Sequence, residues 1–172
     1  YGVEDLFDGC PRAAAAGAPT SVAAVYEGTA TWPSPAGPGM ARHAARLPYL
    51  RFPTLGEGAT PLLPLPLPSL AGLGALWLKR EAANPTGSHK DRMSPLAVAR
   101  ALEIGARGIL ASSSGNAALS AAAYAAAAGL PCRVVVTPAL TDAYRRAIAR
   151  TGAAFIVCRD SLARWNVAAR MV

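Results

Sequence analysis

One stretch of the chain concentrates side chains that could do chemistry: Asn84-Pro-Thr-Gly-Ser-His-Lys-Asp-Arg92. Its lysine, Lys90, is one of only two in a chain with 15 arginines, and it follows Ser88 and His89 directly. Composition alone permits a plain polar loop, in which Thr86 or Ser88 caps a helix and Lys90 is solvated. Position argues for more. The stretch joins a strand candidate to a helix candidate, so Lys90 falls at a helix start, where the backbone dipole favours anions over an ammonium group. Such a place suits a nucleophilic amine or a Schiff-base lysine.

A second stretch, Ala111-Ser-Ser-Ser-Gly-Asn-Ala117, follows another strand candidate and opens an alanine-rich helix. Its hydroxyls and the unpaired N–H groups of a helix start form a site for a carboxylate or phosphate. Many helices begin this way without binding anything. Beside Lys90, one strand and helix earlier, the stretch carries more weight, because parallel sheets bind ligands at the C-terminal ends of their strands.

The elements that must position these stretches are legible from residue 75 onward. Residues 75–79, 108–111, 132–136 and 153–157 read as short apolar strands. Residues 95–104, 115–128, 142–150 and 161–172 read as helices, with Gly105, Gly129 and Gly152 as stops and Ser161 as an N-cap. Strand and helix alternate four times, which implies an α/β fold with a parallel sheet covered on both faces. Residues 1–75 read as an irregular arm, broken by Pro33, Pro35, Pro38 and Pro48. Within it, residues 61–68 carry proline at nearly every second position. That run is expected to cross the surface in extended form, with its leucines pressed on a core, and not to enter the middle of a sheet.

Composition bounds the rest. With 172 residues, 52% of them hydrophobic, the chain can bury a core. The net charge of +7 comes from scattered arginines without interleaved aromatics, so no nucleic-acid partner is expected. No run of 18 unbroken apolar residues occurs, so no membrane span is expected. The opening residues, Tyr1 to Asp5, are acidic and not a basic leader. The odd count of cysteines (Cys10, Cys132 and Cys158) suits a reducing compartment, so a cytoplasmic location is expected. Neither the cysteines nor His43 and His89 are spaced as metal ligands, so no metal is expected. The chain does not begin with Met, and an earlier segment is expected.

Four motifs stand in order: Gly56-Glu-Gly-Ala-Thr-Pro-Leu62, Leu78-Lys-Arg-Glu81, the Asn84–Arg92 stretch, and Ser113-Ser-Gly-Asn-Ala117. In order and spacing they resemble the fold-type II pyridoxal-phosphate enzymes, whose three-layer parallel βαβ sandwich is typified by the tryptophan synthase β subunit. Within that superfamily the chain is most similar to threonine synthase. The resemblance implies pyridoxal 5′-phosphate (PLP) as cofactor. It makes Lys90 the residue that forms the Schiff base with PLP and later moves protons at the substrate α-carbon. Asn116 would hydrogen-bond the 3′-oxygen of the cofactor. Ser113, Ser114 and Gly115 would hold the substrate carboxylate, and Ser88 and His89 would contact cofactor or substrate. Cys10-Pro-Arg12 resembles the start of a Cys-x-x-Cys pair, but Ala13 stands at the second position.

The implied reaction is β,γ-replacement on O-phosphohomoserine, giving threonine and phosphate. Related chemistries share the motifs: cysteate synthesis, threonine or serine dehydration, and diaminopropionate elimination. A non-catalytic interaction piece is the contrasting possibility. A phosphorylated amino-acid substrate would call for extra cations, with Arg92 and Arg80 as candidates. The resemblance also implies a glycine-rich phosphate cup further along, yet only Gly152 follows Gly129. A C-terminal part of the large domain is therefore expected to be missing, with residues 76–172 forming the small domain and the start of the large one. An uncovered apolar face is expected to favour a homodimer or a complementing chain.

Overall fold

The chain divides into two compact units, Tyr1–Trp32 and Pro33–Val172. The computed structural model describes residues 9–23, 25, 27, 37–66 and 75–171. Pro33 and Pro35 of the arm, and Leu67 and Pro68 of the proline run, lie outside the described residues. In the first unit a short helix, α1 (Pro11–Ala15), starts at Cys10, whose Sγ accepts from the Ala13 N–H at 3.4 Å. Proline at the first helical position forfeits no hydrogen bond. All four motifs lie in the second unit.

That unit is built on a three-stranded parallel sheet in sequential order: β3 (Ile109–Ser112), β4 (Cys132–Val136) and β5 (Ala154–Val157). Each strand feeds a helix: α3 (Asn116–Ala127), α4 (Asp142–Ala149) and α5 (Ser161–Ala169). Side chains alternate across a strand, so Cys132, Val134 and Val136 face one way. They meet Ala118, Ala122 and Ala125 of α3, and Leu140, Ile148 and Ala153 close the cluster. Alanine at those helix positions lets α3 lie close on the sheet. Val135, on the opposite face of β4, is also buried, and α5 packs against β3 and β4. This is the α/β class with a parallel sheet read from the alternation.

The fourth strand of that reading is elsewhere. β2 (Trp77–Lys79) pairs antiparallel with β1 (Leu62–Pro64), in the register Leu62 with Lys79 and Pro64 with Trp77. Alternation of apolar runs cannot tell which sheet a strand joins. The proline run therefore contributes a strand to a two-stranded ribbon, where a missing N–H costs no central ladder bond. Two of its leucines are not pressed on a core: Leu62 is 57% exposed, and Leu63 is exposed too, while Leu65 is half-buried.

Two shorter corrections concern helix starts. α2 spans Ser94–Glu103, so Lys90 lies in a separate 3₁₀ turn, His89–Arg92, just before that helix. Pro95 fixes the helix start, because its φ suits the first turn and its missing N–H is not needed there. α5 is capped by Asp160 and not Ser161: Asp160 Oδ1 accepts from the Ala163 N–H at 2.8 Å. Thr141 caps α4. Among the described residues, no helix is long and apolar enough to cross a membrane, and no cluster of three or more His, Cys, Asp or Glu could hold a metal ion.

Candidate active site

Lys90 is held by its neighbours in sequence and by partners far from it. Gly87, at φ +86°, takes the left-handed turn that an L side chain rarely adopts. The chain then enters the 3₁₀ turn, whose cap is buried Ser88; its Oγ accepts from the Lys90 N–H at 3.2 Å. Lys90 is half-buried and His89 is exposed.

The next residue, Asp91, is fully buried. Its carboxylate accepts from the Thr86 N–H (2.6 Å), Thr86 Oγ1 (2.5 Å) and Ser120 Oγ (2.6 Å). Three donors compensate the desolvation of the charge. The first two bonds close the loop over itself, and the third anchors it to α3.

A second buried acid backs the same helix. Glu57, 1% exposed, accepts from Tyr124 Oη at 2.7 Å, from the Leu55 N–H at 3.0 Å and from Thr54 Oγ1 at 3.1 Å. Burial pushes the Tyr124 phenol well above its ordinary pKa, and the hydrogen bond to Glu57 pushes it further, so it stays a donor. Asn116, Ser120 and Tyr124 are the only polar residues of α3, and they recur every fourth position. They therefore share one face. Ser120 and Tyr124 tie that face to Asp91 and Glu57.

Arg92 makes a forked ion pair with Glu81, Nε to Oε2 and NH2 to Oε1, both at 2.7 Å. Thr60 Oγ1 and Asn84 Nδ2 also donate to Glu81, at 2.9 and 3.0 Å, and Asn84 Oδ1 accepts from the Gly58 N–H at 3.0 Å. The Arg92 bonds, aided by those from Thr60 and Asn84, pull the Glu81 carboxyl down to about 2 against its partial burial. Arg92, a candidate cation for a substrate phosphate, is thus engaged by Glu81, and its guanidinium joins the first three motifs into one scaffold. Arg80 is exposed.

The serine loop is tied to the sheet. Ser113 N–H donates to the Val135 carbonyl at 3.2 Å, and Ser114 Oγ accepts from the Thr137 N–H at 3.1 Å. Gly115 N–H donates to Ser113 Oγ at 3.3 Å, and a Cβ built on Gly115 meets no atom within 4 Å. The Gly115 Cβ position is therefore open, at a helix start whose first N–H groups have no partner within the helix. Asn116 is exposed, and its Oδ1 accepts from the Tyr144 phenol.

The structure thus places Lys90, Ser88 and His89 on one turn and Ser113 to Asn116 on one loop and helix start. The 3₁₀ turn packs against α3, and that contact links the two stretches. They do not sit on neighbouring strands of one sheet, as the sequence suggested, because β2 belongs to the ribbon. Glu57, Asp91, Ser120 and Tyr124 were missed as a supporting network. The signal was present in α3: three polar residues at four-residue spacing in a run of alanines.

Fold and site together define a class. Residues 53–172 match a family profile described as pyridoxal-phosphate dependent enzyme, and the chain belongs to that family. It is 53% identical over 83 residues to threonine synthase from Halalkalibacterium halodurans, a match covering 48% of this chain and 23% of the relative. Threonine synthase from Methanosarcina acetivorans is 41% identical over 104 residues, covering 59% of this chain and 25% of the relative. Among solved structures, a pyridoxal 5′-phosphate-dependent aspartate racemase superposes with a TM-score of 0.59 at 28% identity, over 65% of this chain and 36% of that one. A cysteine synthase from Entamoeba histolytica superposes with a TM-score of 0.60 at 22% identity, over 66% and 37%, a likeness of fold. These are fold-type II enzymes, and the family's cofactor is PLP. The matched region is about a quarter of the length of those threonine synthases. The residues present fit that cofactor: the Lys90 amine, the Asn116 amide with its Nδ2 donors unengaged among the described residues, serine hydroxyls, and an open Cβ position at Gly115.

Proposed function

We propose that this chain supplies the lysine-bearing part of a PLP-dependent threonine synthase-like enzyme, which converts O-phosphohomoserine to threonine and phosphate by β,γ-replacement. PLP, when bound, supplies the electron sink for carbanion chemistry at the substrate α-carbon. Lys90 attaches the cofactor and moves the proton at that carbon. Its turn is held by Asp91 and Ser88, so the amine is presented from a fixed backbone. Asn116 donates from Nδ2 to the cofactor's 3′-oxygen. Ser113, Ser114 and the N–H groups at Gly115 and Asn116 receive the substrate carboxylate at the start of α3, where the dipole favours negative charge. Ser88 and His89, next to Lys90 in the turn, would contact cofactor or substrate.

The observation that carries this reading is the docking of the Lys90 turn onto α3, the helix whose first residue is Asn116. The similarity to threonine synthases supports the choice of substrate. Phosphate release from O-phosphohomoserine, assayed with PLP present on the whole protein that contains these residues, tests it. Release that Lys90→Ala abolishes is expected. Formation of a keto acid from threonine or serine, without phosphate release, would instead assign a dehydratase.

A further inference from the structure

Asn116 faces its cofactor role with an ambiguous side chain. An amide offers one accepting oxygen and two N–H donors, and a half-turn exchanges them. Only the Nδ2 side can serve an anionic oxygen. An exposed asparagine in the first turn of a helix has nothing in its own helix to choose between the two orientations.

Tyr144 makes that choice. It lies on α4, 28 residues further on, and its phenol donates to Asn116 Oδ1. The ring is half-buried and packed beside the core cluster of Val134, Val136 and Ile148. Its backbone is fixed as well, since Thr141 Oγ1 accepts from the Tyr144 N–H at the start of α4. A ring anchored in the core thus reaches a polar atom at the start of α3. With Oδ1 engaged, the two N–H donors of the amide are the half left over. Resting on the cofactor reading above, we propose that Tyr144 is a positioning residue that orients the Asn116 amide, so that Nδ2 serves the 3′-oxygen of PLP.

The test uses the full 172-residue chain with excess PLP, in wild type, Tyr144→Phe, Asn116→Ala and the double variant. The readouts are the PLP trapped at Lys90 by borohydride, the pH midpoint of the visible absorbance band, and the Asn116 side-chain NH2 resonances in 15N-edited spectra without cofactor. Phenylalanine keeps the ring in the core and removes only the donor. Tyr144→Phe is expected to move the NH2 resonances, to weaken PLP retention about tenfold, the scale of one hydrogen bond to a charged group, and to shift the pH midpoint in the direction Asn116→Ala does. The double variant is expected to match Asn116→Ala. A Tyr144→Phe chain with wild-type retention and midpoint, while Asn116→Ala changes both, overturns the positioning role and leaves the cofactor reading intact. Wild-type chain labelled at Lys79, or nowhere, overturns the cofactor reading and this role with it, whatever the resonances show.

Discussion

Asp91 and Ser120 stand 29 residues apart and share a hydrogen bond of 2.6 Å from Ser120 Oγ to Asp91 Oδ1. Both are fully buried. Asp91 follows Lys90 directly, and Ser120 lies one turn along α3 from Asn116. The bond therefore links the amine-bearing turn to the helix that carries the proposed cofactor-binding amide.

Asp91→Ala removes the acceptor of three donors, the Thr86 N–H, Thr86 Oγ1 and Ser120 Oγ. Leaving buried donors unsatisfied should cost about 3 kcal/mol, read as a lowered urea midpoint. Ser120→Ala removes only one donor and should cost about 1 kcal/mol. Equal losses in the two variants would contradict the account of Asp91 as the hub.

Tyr124→Phe keeps the ring and deletes the donor to buried Glu57. That carboxylate retains the Leu55 N–H and Thr54 Oγ1. A loss of about 1–2 kcal/mol is expected in chemical denaturation. A variant as stable as wild type would mean that the phenol contributes nothing to the scaffold.

The Glu81–Arg92 pair sets an acid limit. The carboxyl is held below its ordinary 4.5, at about 2, so the folded state binds fewer protons than the unfolded chain between those values. Its stabilisation is complete above pH 4.5 and is lost as pH falls toward 2. Wild-type urea midpoints should decline across that window more steeply than those of Glu81→Gln. Parallel curves for the two proteins would contradict the assignment.

Gly115→Ala separates folding from binding. Gly115 lies outside the left-handed region, at φ −154° and ψ −144°, and its Cβ position is open. The variant should keep its thermal midpoint within a degree or two while losing PLP retention, because the new methyl enters that open position. By contrast, Gly58→Ala brings a Cβ to 2.6 Å from the Met40 nitrogen at φ +95°. It should destabilise the chain by about 2 kcal/mol or more.

Local pattern carried the elements from β3 onward. The strand read at 132–136 is β4, and the helix read at 115–128 is α3 with one residue trimmed at each end. Apolar periodicity and glycine stops report such features because they depend on near neighbours. Strand pairing does not: β1 and β2 join across residues 65–76, and proline content concealed β1. The proposed site residues were legible as motifs, whereas their support was not. Glu57 and Tyr124 bond across 67 positions and Asp91 and Ser120 across 29, and nothing near a buried acid in sequence names its donor. The Arg92–Glu81 pair was missed for the same reason, since Glu81 looks like any surface acid until the turn brings the two together.

Lys90 is the residue proposed to take the cofactor. The chain has two lysines, Lys79 and Lys90, and the Lys79 ammonium donates to the Thr60 carbonyl in the ribbon. The direct measurement is peptide mass mapping after incubation with PLP and reduction with borohydride, on wild type and Lys90→Ala. A phosphopyridoxyl group is expected on the Lys90 peptide, none on the Lys79 peptide, and no label on a Lys90→Ala chain whose circular dichroism matches wild type. Label on Lys79 alone, or equal labelling of wild type and variant, would contradict that role.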